Sequence, residues 1–421
     1  MLGDWSLSQR RVAASTTMAC FASSRLCARA LDKLCQIGRT TQARRKSSSS
    51  IIKLRQAQPL YTSSFGLRGQ NEERAIEGQR RLSTQQPGTG PAHDYQNVDP
   101  YRLIEDDLKT VHANIRQALL VHTNSDELER ISTYYFDGQG KSIRPALTLL
   151  MARALNYHLN QSGITAEQIQ MAMVAEMIHT ASLVHDDVID QSNFRRGKPS
   201  VNALWSQKKV AMTGDFIIAV VSMILANIRH CDVTITISQA ISDLVQGEFM
   251  QLGAKETENE RFAHYLTKTY RKTASLMANS LKSTALLCNA DDQLCELAFQ
   301  YGRNIGLAFQ LVDDLLDFVS SSDTMGKPTA TDLKLGLATA PVLFACEKYP
   351  ELNPMIMRRF QEPGDVEKAF ELVHKSQGLE QTRFLAKKHC NEALRLANSI
   401  AESPYQKGLI IMPDLVINRM K

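Results

Sequence analysis

The chain of 421 residues is predicted to fold as a single all-α domain. Three observations predict it. Apolar residues recur three and four apart over many turns, the two-residue alternation of strands is scarce, and short Gly-, Pro- and Asp-bearing breaks separate the periodic stretches.

From residue 101 onward the helical period dominates. It runs through "IEDDLKTVHANIRQALL", then "KSIRPALTLLMARALNY", then "AEQIQMAMVAEMIHTASLVHDD". The segment "VTITIS" reads briefly as a strand, but it continues into a helical pattern through Leu244. A further long helix is expected in "QLCELAFQYGRNIGLAFQLVDDLLDF", and more beyond Pro363. The breaks are "FDGQGKS", "NQSG", "RRGKPS", "KPTATD" and "QEPGD". Pro413, inside the last periodic stretch, implies a kink or break there. No repeat of 20 to 50 residues stands out. The longest apolar run, 216–226, is too short to span a bilayer and reads as a buried helix.

Charge divides the chain. Residues 1–70 hold nine Arg and three Lys against Asp4 and Asp32, a balance of +10 within a net +5 for the whole chain. The rest is therefore mildly acidic, which argues against nucleic acid as a partner. On a helical projection Cys20, Cys27, Ala30, Leu31 and Leu34 share one face, while Arg25, Arg29 and Lys33 line the other. A cationic amphipathic leader without an apolar core fits a mitochondrial transit peptide better than a secretory signal. A disordered basic tail and a nuclear signal at "ARRK" are the alternatives. Residues 1–95 are thus assigned to transit peptide and linker, and 96–421 to the helical domain. The eight cysteines lack any CxxC pair and read as reduced thiols.

The pattern DDxxD occurs twice, at Asp186, Asp187 and Asp190 and at Asp313, Asp314 and Asp317. In a helix the first and last aspartates of each copy share a face. Their mutual repulsion, worsened by a helix C-terminus, calls for a cation. An oxygen-only donor set suits Mg²⁺ shared with substrate phosphates. Apolar neighbours, "ASLVH" before one copy and "AFQLV" before the other, argue against two solvated acidic faces and for a lined cavity. Cations recur close by. Lys141 and Arg144 stand at a helix start that itself favours anions, Arg195 and Arg196 follow the first motif, Lys327 follows the second, and Lys272 lies in "YRKTASL". "GKPT" lacks the spacing of a phosphate-binding loop. Aspartates, metal, diphosphate and arginines together form a coherent site.

The motifs GKxxRP, HDDxxDxxxxRRG, KTASL, FQLxDDxxDF and GKPxxxDLKxG, in that order over about 101–421, resemble the trans-isoprenyl diphosphate synthase family. The resemblance is to catalytic subunits of its long-chain mitochondrial members, which make the ubiquinone side chain. It implies one large helical bundle around a deep central cavity, successive condensation of isopentenyl diphosphate onto a farnesyl or geranylgeranyl primer, and Mg²⁺ on all six aspartates. It also implies an allylic diphosphate held by Arg195, Lys272 and Lys327, and isopentenyl diphosphate held by Lys141, Arg144, His179 and Arg196. Thr273 and Gln310 would line the reacting centre. In this family a bulky residue before the first motif stops chain growth; here Ala181 and Ser182 are small, with Ile178 one turn deeper, which implies a long product. The family further implies a matrix location, a motif-poor second subunit in a hetero-oligomer such as a heterotetramer, and peripheral contact with the inner mitochondrial membrane. The rival readings are a shorter-chain, geranylgeranyl-type synthase and a non-catalytic scaffold subunit. Six intact aspartates disfavour the scaffold, and "DDLLD" disfavours a terpene cyclase.

Overall fold

The computed structural model describes residues 98–138, 140–253, 261–319 and 330–418. The leader, the linker and Lys327 lie outside these residues. A short 3₁₀ turn leads into α1 (Glu105–Val121), α2 (Asp126–Thr133), α3 (Ile143–His158) and α4 (Ala166–Ile189). A two-strand hairpin, β1 (Phe194–Arg195) with β2 (Lys198–Pro199), precedes α5 (Val201–Leu204), α6 (Gln207–Ile228) and α7 (Cys231–Gly253). Then come α8 (Arg261–Thr269), a π-helical turn (Tyr270–Ala274), α9 (Ser275–Leu287) and α10 (Asp292–Val319). The chain closes with α11 (Thr331–Lys334), α12 (Ala340–Lys348), α13 (Leu352–Met357), α14 (Asp365–Lys375), α15 (Gly378–Ala397) and α16 (Pro404–Ile417). The predicted all-α class holds, and "VTITIS" is helical within α7.

Local chemistry explains the boundaries. "TAEQ" starts α4 with a reciprocal cap: Thr165 Oγ1 accepts from the Gln168 amide (3.3 Å) while Gln168 Oε1 accepts from the Thr165 amide (3.0 Å). The break at "RRGKPS" is the hairpin. Arg196 and Gly197 both take positive φ, 53° and 77°, the geometry of a two-residue hairpin turn whose second position glycine fills without strain.

The core is organised around α9. Nearly all of its residues are buried, and it packs against α3, α4, α7 and α10. A helix buried on nearly every side, its small polar residues Ser275, Asn279, Ser280, Ser283 and Thr284 included, sits inside the bundle. Helices α4 and α10, whose C-terminal turns carry the two acidic motifs, are therefore held against one common helix. The apolar run at 216–226 belongs to a longer helix than expected. α6 begins at Gln207, which makes it long and apolar enough to cross a membrane by length and composition, yet half of its most apolar stretch is buried in the bundle. It packs closely on α4 at Gly214, where any Cβ would lie 2.2 Å from His185 Nε2. Met212, Ala219, Met223 and Ala226 point outward from α6 with Phe216 half-buried among them, and α7 adds Ile235, Phe249 and Leu252.

Pro413 does not break α16, which continues through it to Ile417. A proline there leaves the carbonyl of Leu409 without its helical donor. The fully buried Tyr301 of α10 supplies one, its hydroxyl donating to Leu409 O at 2.7 Å. Tyr301→Phe is therefore expected to destabilise the fold by about 1–3 kcal/mol, because it orphans a buried carbonyl. Adding Pro413→Ala restores an amide donor. Denaturant midpoints of the two single variants and the double variant check this, with the double recovering most of the loss.

Candidate active site

The first motif ends α4 and the structure divides its three aspartates. Asp187 is fully buried and accepts two hydrogen bonds, from the Tyr135 hydroxyl and from Arg195 Nε at 2.6 Å. Asp186 and Asp190, one helical turn apart, sit beside Lys272 and Glu248. Burial, with Glu248 and Asp190 adding to it, pushes Asp186 up to about 6, and burial also raises Asp190.

The second motif, on α10, repeats the division. Asp314 is buried and accepts from the Tyr265 hydroxyl at 2.5 Å and from Gln310 Nε2 at 3.0 Å. Asp317 accepts from the amides of Thr331 (2.9 Å) and Asp332 (3.0 Å), so its carboxylate starts α11. Asp313 is half-exposed. In both copies, the second aspartate is thus tied inward by a tyrosine, and the first and last remain on the outward face. The six aspartates are thus not equivalent: Asp187 and Asp314 accept from buried side-chain donors, and Asp317 accepts from two backbone amides.

Between the motifs runs the segment from α8 into α9. Lys272 Nζ pairs with Glu248 Oε2 at 2.6 Å and reaches Gln251 Oε1 at 3.2 Å. Thr273 Oγ1 donates to Gln310 Oε1 at 2.9 Å, which links it through Gln310 to Asp314. These consecutive side chains address different helices, α7 and α10, from within the π-helical turn. Single π turns tend to occur at functional positions. Backbone approach holds this turn from both sides. A Cβ on Gly247 of α7 would lie 2.9 Å from Lys272 N, and one on Gly306 of α10 would lie 2.5 Å from Ala274 Cα.

Lys268 and Asp332 complete this region. Burial lowers the Lys268 ammonium while Asp314 opposes that shift. Burial, reinforced by Asp314 and Asp317, raises Asp332 to about 7.

The cations of the predicted second pocket also converge. The hairpin turn aims its two arginines at different places. Arg195 goes to Asp187, and the Arg196 guanidinium packs on Gly140, where a Cβ would stand 2.8 Å from Nη1. Arg144 and Arg196 both act on His179 and on the buried Glu176. Burial and then these arginines keep His179 well below the usual imidazole range, so it is neutral at physiological pH. Burial raises Glu176 and the two arginines counter it. Lys141 is exposed just before α3. Ser142, at positive φ, does not cap α3; its hydroxyl faces His112 Nε2 at 3.1 Å. The amides of Ile143 and Arg144 at the start of α3 are therefore left without a side-chain cap from Ser142. Ala181 and Ile178 are buried in α4, and the half-buried Ser182 donates to His179 O at 2.8 Å.

Sequence reasoning missed Tyr135, Tyr265, Glu248, Gln251, Lys268 and Asp332. Asp332 is the aspartate of GKPxxxDLKxG, to which no role was given. The tyrosines carried no signal beyond lying near "GQGKS" and "KTASL", since only tertiary contact reveals their partners.

The donor set suits a hard divalent cation. Oxygen donors alone line both motifs, and raised carboxyl groups in a desolvated, self-repelling cluster gain from a cation. Among the described residues no three such groups converge on one point. Each motif instead offers a pair, as Mg²⁺-like ions require when substrate phosphates and water complete the shell.

Two outcomes are expected. Asp332 titrates near 7 in the folded chain and near 3.8 unfolded, so the metal-free fold gains stability as pH falls from 8 through 7 toward 3.8. Asp332→Asn is therefore expected to raise the metal-free melting temperature at pH 8 and to flatten its pH dependence, measured by calorimetry. Gly306→Ala is expected to cost about 1–3 kcal/mol by overpacking and to lower kcat roughly ten- to hundredfold by displacing Lys272 and Thr273, read from steady-state kinetics.

Comparison with known proteins identifies the family. The polyprenyl synthetase family pattern matches residues 125–373. The chain is 53% identical over 325 residues to the all trans-polyprenyl-diphosphate synthase PDSS1 of Homo sapiens, covering 77% of this chain and 78% of that one. It is 42% identical over 334 residues to the decaprenyl-diphosphate synthase of Dictyostelium discoideum, covering 76% and 72%. Among solved structures it resembles a decaprenyl diphosphate synthase from Rhodobacter capsulatus, with a TM-score of 0.68, 30% identity, and coverage of 76% of this chain and 98% of that one. A polyprenyl synthase from Caulobacter crescentus, solved with calcium and isoprenyl diphosphate, matches with a TM-score of 0.68 and 28% identity, covering 76% and 97%. With two tyrosine-anchored aspartate motifs facing a shared lysine segment, and with these matches across its helical domain, the chain belongs to the polyprenyl synthetase family.

Proposed function

We propose that this chain is a long-chain all-trans polyprenyl diphosphate synthase. The observation that carries it is the pair of intact acidic motifs facing Lys272 and Lys268, beside a separate cluster of Arg144, Arg196 and His179. Asp186, Asp190, Asp313 and Asp317 hold Mg²⁺ with the allylic diphosphate; Asp187 and Asp314 position them. Bound Mg²⁺ supplies a Lewis acid that stabilises charge on the departing diphosphate. Lys272, Arg195 and Lys327 contact the allylic diphosphate. Lys141, Arg144, Arg196 and the first amides of α3 hold isopentenyl diphosphate, with neutral His179 as a hydrogen-bonding wall.

The chain's task is orientation and charge compensation. The allylic C–O bond breaks, and the double bond of isopentenyl diphosphate attacks the resulting carbocation. The departing diphosphate takes the proton lost from the adduct. Thr273 and Gln310 fix the polar edge of the reacting centre, and buried α4 residues exclude water that would quench the cation. The growing chain passes the small residues Ala181 and Ser182 toward Ile178 in the central cavity. Farnesyl or geranylgeranyl diphosphate is the primer.

The cationic leader supports a mitochondrial matrix location, and relatives in Neurospora crassa and Oryza sativa are named as mitochondrial synthases. The product serves the ubiquinone side chain. The apolar stripe of α6 with the exposed residues of α7 supports a second, motif-poor subunit in a heterotetramer, and other exposed apolar side chains support peripheral contact with the inner membrane.

Product lengths by mass spectrometry test the reading, using farnesyl diphosphate, isopentenyl diphosphate and Mg²⁺ with the chain alone and co-expressed with its second subunit. Products far longer than geranylgeranyl diphosphate are expected, with Asp186→Ala lowering turnover by on the order of 10²–10³. Geranylgeranyl diphosphate as the end product would instead establish the shorter-chain reading. Turnover in neither preparation would favour a scaffold. Ala181→Phe is expected to shorten the product to about the primer or one unit more; unchanged lengths would place the floor elsewhere.

A further inference from the structure

Tyr135 joins two parts of the site that the reaction must bring together. It lies in the segment between α2 and α3 that leads to Lys141 and Arg144. Its hydroxyl donates to Asp187 of the first motif and accepts from the amide of Val201, just past the hairpin, at 2.9 Å. The same segment is fastened to the hairpin at other points. Lys198 Nζ donates to Tyr134 O at 2.7 Å and to Asp137 Oδ2 at 2.6 Å, and the Tyr134 hydroxyl donates to Pro199 O at 2.9 Å. Lys198 also lies over the Tyr134 ring, 3.9 Å from its centroid.

We propose that Tyr135 is a positioning residue that couples the two diphosphate pockets, so that allylic diphosphate at the first motif tightens isopentenyl diphosphate at the Lys141–Arg144–Arg196 cluster. The inference rests on the reading that the first motif holds the allylic diphosphate. Asp187 is fully buried and has two side-chain donors, Arg195 and Tyr135. An allylic diphosphate draws the Arg195 guanidinium toward its oxygens. The buried carboxylate then depends more heavily on the Tyr135 hydroxyl, since an unsatisfied buried charge is costly. The tightened bond holds the segment leading to Lys141 and Arg144 in its binding geometry. Occupancy of the first pocket thereby removes part of the ordering cost of the second. Tyr265 makes the matching bond to Asp314 but belongs to α8, away from the isopentenyl cluster, and so serves as the internal control.

The test is calorimetric titration of the full chain with isopentenyl diphosphate, with and without Mg²⁺ and farnesyl thiodiphosphate, an allylic analogue that resists ionisation. In the unaltered chain the analogue is expected to tighten isopentenyl diphosphate by about tenfold or more. In Tyr135→Phe the tightening is expected to fall below about threefold, while Tyr265→Phe, which loosens the second motif and so weakens the analogue itself, retains it once the analogue is saturating. A Tyr135→Phe variant that keeps the full tightening overturns the proposal, as does a Tyr265→Phe variant that loses it equally. A second measurement needs no variant: Mg²⁺ and the analogue, without isopentenyl diphosphate, are expected to slow amide exchange across residues 134–138. Binding of the analogue without slower exchange there overturns the coupling alone. Failure of the analogue to bind overturns the site reading and the coupling with it.

Discussion

The hydroxyls of Tyr135 and Tyr265 donate to the buried carboxylates of Asp187 and Asp314, and the geometry of the site depends on those two bonds. A carboxylate taken out of water is costly unless donors replace its hydration. Each tyrosine fills that need at the C-terminal region of a helix, where the helix dipole already disfavours negative charge. Fixing the middle aspartate sets the rotation of the helix end. The aspartates on either side of it are thereby turned away from the core, and in the first motif they lie beside Lys272.

That segment is the second constraint. Because α9 is buried among α3, α4, α7 and α10, its position sets the separation of both motifs. In the π turn at its entrance, Lys272 and Thr273 face α7 and α10 from adjacent positions. Glycines at 247 and 306 permit the close approach this needs. The arrangement favours function over stability. Burial raises Asp186 and Asp332 and lowers Lys268, so the metal-free protein carries strained charge that a bound cation and diphosphate would relieve.

The hairpin after the first motif performs a different task. Two adjacent arginines on a chain with ordinary strand geometry would diverge without control. A turn at Arg196–Gly197 with positive φ at both positions sends Arg195 to Asp187 and Arg196 to the glycine segment before α3. One short turn therefore equips two anion pockets, and the lysine at 198 fastens the turn to the segment it serves.

Much of this was legible in the sequence because helical periodicity and acidic spacing are local properties. The all-α class, the long helices and the pairing of Asp186 with Asp190 all follow from residues a few positions apart, whereas the division of Arg195 from Arg196 was implied only by the family resemblance. The division of labour among the six aspartates was not legible. Its cause is contact between Asp187 and Tyr135, 52 positions apart, and between Asp314 and Tyr265, 49 apart. The survival of α16 through Pro413 is of the same kind, since the missing donor comes from Tyr301, 108 positions before its acceptor. By itself the sequence determined which groups carry charge and how they are spaced along each helix. Tertiary structure alone decided which of those charges are desolvated, because burial is a property of what packs around a residue and not of the residue's own neighbours in the chain.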